Sequence, residues 1–164
     1  MAHDIPEMFY ERLMVHEGFY DTVYPCPTGH PTVGYGTNLD TWHDKKACAR
    51  WLERGITREE ADKVMREETE LQCSRLAGVC PEYGTLCAQG EHVRALVLVN
   101  MAYNMGAGGV AGFGRMRAAL REGRWQDAAR ELMNSKYAKQ VKRRARELAA
   151  QLEHGRWCAE VYER

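Results

Sequence analysis

One stretch constrains this chain more than any other. From Phe19 to Asn38 helical spacing gives way to strand formers, Tyr20, Thr22, Val23, Tyr24, Thr32, Val33 and Tyr35, with Pro27-Thr28-Gly29 between them as turn chemistry. The segment predicts a small, twisted antiparallel sheet, and Gly34 and Gly36 let its backbone bend or let another group approach closely. The rest of the chain reads as helix. Ile5, Met8, Phe9 and Leu13 fall on one face of a first helix, capped by Asp4 with Pro6 near its start and ending near Glu17-Gly18. A short helix over Trp42–Glu53 ends at Gly55. Thr57-Arg58-Glu59-Glu60 is a capping box that opens a long charged helix towards Leu76, whose alternating signs suggest a water-exposed connector.

The second half is more apolar. A helix from Gly90 to Met105 holds the longest apolar run, Ala95–Val99, far short of the ~20 residues that a membrane helix needs. Gly106–Gly112 reads as a helix stop and tight turn rather than a phosphate loop, because it follows a helix and lacks the G-x-G-x-x-G spacing. Helices are expected over Gly114–Arg121, Arg124–Asn134 and about Lys142–His154, the last with Val141, Ala145, Leu148 and Leu152 as its buried stripe. The expected fold is α+β and mainly helical. A small β-containing lobe, about residues 16–57, is joined by a long helix, 58–78, to a helical bundle, 79–164, which the first helix, 4–15, also joins. A cleft between two lobes is where ligands tend to bind.

Charge and cysteine content narrow the function. Formal net charge is zero, but residues 112–164 hold 13 Lys/Arg against 7 Asp/Glu, and residues 1–111 hold 10 against 16. A basic C-terminal region could attract a polyanion or form a solvated helix surface. The six cysteines lack the C-x-x-C pairs of zinc sites, and Met1–Asp4 leads into a polar segment with no apolar signal region. Reduced, half-buried thiols in a cytoplasm are therefore expected, with no metal.

Three residues in the strand region carry chemistry. Glu17 lies where helix meets strand, and partial shielding from water there favours the proton-holding form that a general acid needs. Cys26 and Thr32 follow in the pattern E-x8-C-x5-T. This spacing puts an acid at a helix end facing a thiol and a hydroxyl on a hairpin, so that the three could bracket one bond. His30, with an ordinary pKa of about 6.5, is either a usable base or an exposed turn histidine. Asp21 is at the wrong spacing to join them.

The spacing resembles the signature of the phage-type lysozymes, glycoside hydrolase family 24, written E-x8-[D/C]-x5-T. Thr32-Val33-Gly34-Tyr35-Gly36 is similar to the family's T-x-G-x-G stretch. Val93–Leu96 with Asn100–Gly106 resembles its central helix and turn. Gly109–Phe113, Gly123–Ala129, Arg143–Arg146 and Gly155–Trp157 resemble its C-terminal core and tail, in the same order. The resemblance implies a muramidase that cleaves the β-1,4 bond between N-acetylmuramic acid and N-acetylglucosamine. In that family Glu17 would be the general acid, Thr32 would position the attacking water, and Arg144 would pair with the glutamate. Tyr103, Asn104 and Gly36 would line the sugar site. Read without the family, Tyr103 is core packing and Arg144 a solvated helix charge.

Cys26 departs from the aspartate that most such proteins carry. An ordinary thiol is only a few per cent ionised at pH 7, so it is a poorer base than a carboxylate but a stronger nucleophile. Base, nucleophile and buried spacer all stay open. The resemblance further implies a monomeric endolysin that needs no cofactor, acts on peptidoglycan glycan strands, binds no nucleic acid and does not insert into the membrane. It would wait in the host cytoplasm until a holin-type partner releases it to lyse the cell. The alternatives are a lytic transglycosylase forming 1,6-anhydro ends, which needs no second carboxylate, and a non-catalytic wall-binding module.

Overall fold

The computed structural model describes residues 4–158. The chain is α+β and mainly helical, with ten helices and one three-stranded antiparallel sheet among these residues. It forms two compact units that divide between Glu70 and Leu71.

The first unit begins with α1 (Glu7–Glu17). Asp4 does not cap it. Pro6 stands at the cap with φ −65° and no side-chain hydrogen bond, its ring already set to the angle that a helix start requires. The buried face is Phe9, Tyr10 and Leu13, whereas Met8 is 41% exposed. Tyr10 replaces Met8 because its ring meets Phe9 edge-on at 5.4 Å and carries the Arg66 guanidinium at 4.1 Å. Gly18, with φ 70°, ends the helix and donates its N–H to the Met14 carbonyl.

The strands are β1 (Tyr20–Pro25), β2 (Pro31–Gly34) and β3 (Thr37–Asn38), in the order β1-β2-β3. Tyr24 pairs with Thr32 and Pro25 with Pro31, and an irregularity in register separates these pairs from Tyr20–Gly34. On the other edge of β2, Thr32 pairs with Asn38 and Val33 with Thr37. The prolines sit at strand ends, where a missing N–H costs the ladder least.

The second helix, α2, runs Lys45–Arg54 rather than from Trp42. The Asp44 side chain accepts the Ala47 N–H at 3.0 Å, and this cap fixes the start. Trp42 is buried in the preceding loop. After α2 the chain turns at Gly55, with φ 81°, where a Cβ would drive into the Asp21 carbonyl oxygen that accepts the Ile56 N–H. Next comes the capping box: Glu60 N–H donates to Thr57 Oγ1 at 3.1 Å, and Thr57 N–H donates to the Glu60 carboxylate at 3.0 Å. It opens α3 (Arg58–Val79), within which the boundary between the units falls. The helix is not simply a water-exposed connector, since Ala61, Val64, Met65, Thr69, Gln72 and Leu76 form a buried stripe along it.

The second unit is helical: α4 (Pro81–Ala88), α5 (His92–Met105), α6 (Ala107–Ala111), α7 (Gly114–Arg121), α8 (Trp125–Met133), α9 (Lys136–Val141) and α10 (Arg143–His154). Its centre is α5, in which every residue from Arg94 to Ala102 is buried. Helix α10 packs on α5 and α8 through Ala145, Leu148 and Leu152, whereas Val141 is half-buried and belongs to α9. Helices α4, α6 and α9 are not among those expected from the sequence. Pro81 starts α4 and the Ser135 hydroxyl caps α9 by accepting the Ala138 N–H at 3.1 Å. Gly106, at φ 81°, ends α5 as expected, but the glycines beyond it wind into a short helix instead of a turn. Lys142, at φ 43°, breaks α9 from α10 without a glycine. No helix among the described residues is long and apolar enough to cross a membrane.

Candidate active site

The first unit brings Glu17, Cys26, Thr32 and Gly36 together. Glu17 is the last residue of α1 and is half-buried. Its carboxylate lies against Gly36, where a Cβ would stand 3.1 Å from Glu17 Oε2, and the backbone there has φ 83°. Gly36 therefore does two things. It closes the tight β2–β3 reversal, and it leaves room for the acid beside the sheet.

Hairpin register places the other groups. The Cys26 N–H donates to the His30 carbonyl at 2.8 Å, one step beyond the Pro25–Pro31 pair. Alternation along the strands then puts Tyr24, Cys26, His30 and Thr32 on one face. The Gly29 N–H closes the loop onto the Cys26 carbonyl at 2.7 Å, so the thiol stands on a stiff turn. Tyr24 links this patch to the helix end, because the charges of Tyr20, Glu17 and Cys26 add to burial in raising its phenol pKa.

The thiol is not an ordinary one. Thr28 Oγ1 lies 3.1 Å from Cys26 Sγ. That hydrogen bond, with the backbone N–H groups of the turn and the Thr32 hydroxyl, lowers the thiol pKa from 9.0 to about 7 against the opposing effect of desolvation. Cys26 is therefore more acidic than the ordinary thiol expected from the sequence. The Thr32 hydroxyl donates to the His30 carbonyl at 3.0 Å and is buried, so its single proton can serve that carbonyl or the sulfur.

Three further residues belong to this patch and are not legible as such in the sequence. Thr28 reads there as turn chemistry, yet its hydroxyl is the strongest influence on the thiol. Tyr24 reads as a strand former. Asp40 Oδ2 accepts from His30 Nδ1–H at 3.0 Å, and only the sheet's register brings these residues together. Asp21 stays out of the site: its side chain is exposed and its carbonyl serves Ile56.

The remaining expected site residues lie in the second unit. Tyr103 is half-buried and Asn104 exposed in the last turn of α5. Arg144, at the start of α10, is 7% exposed and hence not a solvated charge. Its Nε donates to Asn100 Oδ1 at 2.8 Å and Nη2 to the Asn100 carbonyl at 3.0 Å. A guanidinium buried in this way is rigidly aimed.

Chemically, the hairpin patch offers a carboxyl group, a thiol that ionises near neutrality and two hydroxyls. Those are the components of acid–base or nucleophilic attack on one polar bond. The chain is 31% identical over 147 residues to the pre-baseplate central spike protein Gp5 of Enterobacteria phage T4, an overlap of 82% of this chain and 26% of that protein. It is 21% identical over 159 residues to the probable T4-type lysozyme 1 of Dictyostelium discoideum, an overlap of 88% of this chain and 93% of that protein. It thus spans about a quarter of the first relative and nearly all of the second. The family model for phage lysozyme matches residues 14–147, a span that holds Glu17, Cys26, Thr32 and Arg144. This chain belongs to the phage lysozyme family.

Proposed function

We propose that the chain hydrolyses the β-1,4 bond between N-acetylmuramic acid and N-acetylglucosamine in bacterial peptidoglycan. The observation that carries this reading is the first-unit patch, in which the Glu17 carboxyl group adjoins Gly36 and acts together with Cys26 on Tyr24, in the hairpin that bears Cys26 and Thr32. Glu17 gives its proton to the leaving glycosidic oxygen. Thr32 holds the attacking water, and Cys26, ionised at about 7, supplies the negative charge that an aspartate would otherwise bring to an oxocarbenium-like state. In the second unit, Tyr103, Asn104 and Arg144 contribute to sugar binding.

Substrate, partners and cellular setting are part of the same proposal. A lysozyme of this kind, monomeric and free of cofactors, lyses cells when a membrane-disrupting partner admits it to the wall from the cytoplasm. The basic second unit suits anionic wall polymers.

Digestion of purified peptidoglycan, with mass spectrometry of the chain ends, tests the reading. Wild type should release reducing ends, and Glu17→Gln should be slower by ~10²–10⁴-fold, the usual contribution of general acid catalysis. Products with 1,6-anhydro ends would make the protein a lytic transglycosylase. Binding to the wall without new ends would make it a non-catalytic module.

A further inference from the structure

The hydrolysis proposed for this patch uses Cys26 and Thr32 but gives no part to His30 and Asp40. We propose that His30, oriented by Asp40, takes the proton of Cys26, so that the hairpin presents a thiolate–imidazolium pair. This rests on the hydrolase reading of the same site and makes His30 and Asp40 positioning residues for it.

The Cys26 N–H donates to the His30 carbonyl at 2.8 Å, next to the Pro25–Pro31 pair. Residues opposed in this way on an antiparallel ladder leave the sheet on the same face, with Cβ atoms about 4.5–5.5 Å apart. In the structure Cys26 Sγ is hydrogen-bonded to Thr28 Oγ1 and His30 Nδ1 to Asp40, and the Cys26 charge acts on the imidazole from the same face. His30 Nδ1 lies 3.0 Å from Asp40 Oδ2. That contact selects the tautomer in which Nδ1–H donates to the carboxylate and Nε2 is left as the acceptor. A nucleophile, a base and a carboxylate that orients the base then follow one another along one face.

The step balances within the patch. The Cys26 S–H bond breaks and the His30 Nε2–H bond forms, leaving a thiolate, an imidazolium and the carboxylate of Asp40. No outside reactant is needed.

Titratable neighbours act in both directions. The Asp40 hydrogen bond is the largest cause of a raised His30 pKa, and the Cys26 charge adds to it. Thr28 and the turn's backbone N–H groups favour the ionised sulfur. Burial, with the charges of Tyr20, Glu17 and Cys26, raises the pKa of Tyr24 and keeps its phenol neutral. Lys45 Nζ donates to the Leu39 and Asp40 carbonyls and keeps a cation close to Asp40.

The test is the rate of Cys26 alkylation by iodoacetamide from pH 5 to 9, read peptide by peptide by mass spectrometry on the full chain. Wild type should show a midpoint near 7. In His30→Gln the midpoint should rise, so that alkylation at pH 6.5 falls ~3–10-fold, because below the midpoint the thiolate fraction drops about tenfold when the thiol pKa rises by one. Asp40→Asn should give a smaller change of the same sign. The buried thiol of Cys48 reports folding in the same samples, and its slow alkylation should stay constant. An unchanged Cys26 profile in His30→Gln overturns the proposal. The acid limb of peptidoglycan hydrolysis should move with the alkylation midpoint. If wild type makes no new chain ends, the hydrolase reading falls while the alkylation comparison still decides the role of His30.

Discussion

The two units hold their structure by different means. In the second unit burial is continuous: Arg94–Ala102 are buried without interruption, and Leu98, Met101, Met116, Leu132, Leu148 and Leu152 are among its fully buried side chains. In the first unit the sheet is thin. No residue of β1 is fully buried, and only Thr32, Val33 and Gly34 of β2 are. Turn hydrogen bonds, glycines at positive φ and hydroxyl contacts set its shape. Charge follows the same division, with 8 Lys/Arg against 14 Asp/Glu in residues 1–70 and 15 against 9 in residues 71–164. The comparison teaches that groups presented to a substrate need not lie on the most deeply packed element. They need a backbone whose hydrogen bonds leave few alternatives.

Substitutions can break or sharpen this contrast. The largest effect should come from the helical core. Leu98→Ala should cost ~2–5 kcal/mol of stability, measured by denaturant unfolding, because a wholly enclosed side chain leaves a cavity. Cys26→Ser should do the opposite: peptidoglycan hydrolysis near pH 7 falls ~10²-fold with an unchanged unfolding curve, since a hydroxyl does not ionise there. Cys26→Asp should keep hydrolysis and move its acid limb from about 7 towards the carboxylate range. Equal unfolding losses for Leu98→Ala and Cys26→Ser would break the comparison.

Gly55→Ala sits between these cases. Its Cβ would meet the Asp21 carbonyl oxygen at a positive φ, so a loss on the order of 1–3 kcal/mol is expected in thermal unfolding. The smallest effect belongs to the capping box. The Arg54 and Thr57 hydrogen bonds lower the Glu60 pKa from 4.5 to about 2. A depressed carboxylate pKa contributes stability that is present above the ordinary value and lost as pH falls through the depressed one. Glu60→Gln should therefore cost ~0.5 kcal/mol at pH 7, and the difference from wild type should vanish between about pH 4.5 and 2.

Much of this protein follows from local sequence alone. The strand segment, the Thr57–Glu60 box, the Gly18, Gly55 and Gly106 stops and the apolar run in α5 are all short-range signals, in which backbone preference and side-chain spacing act within a few residues. The E-x8-C-x5-T spacing belongs to this class, since one helix end and one hairpin carry it. Tertiary structure decided what spacing does not encode. It turned α1 so that Tyr10 rather than Met8 is buried, it wound Ala107–Ala111 into helix, and it buried the Arg144 guanidinium against Asn100. It also completed the chemistry of the hairpin. Thr28 and the turn N–H groups that favour the Cys26 thiolate lie within four residues, but the Thr32 hydroxyl and the Asp40 carboxylate reach Cys26 and His30 only through strand register, because side chains six to ten residues apart meet only when the strands pair.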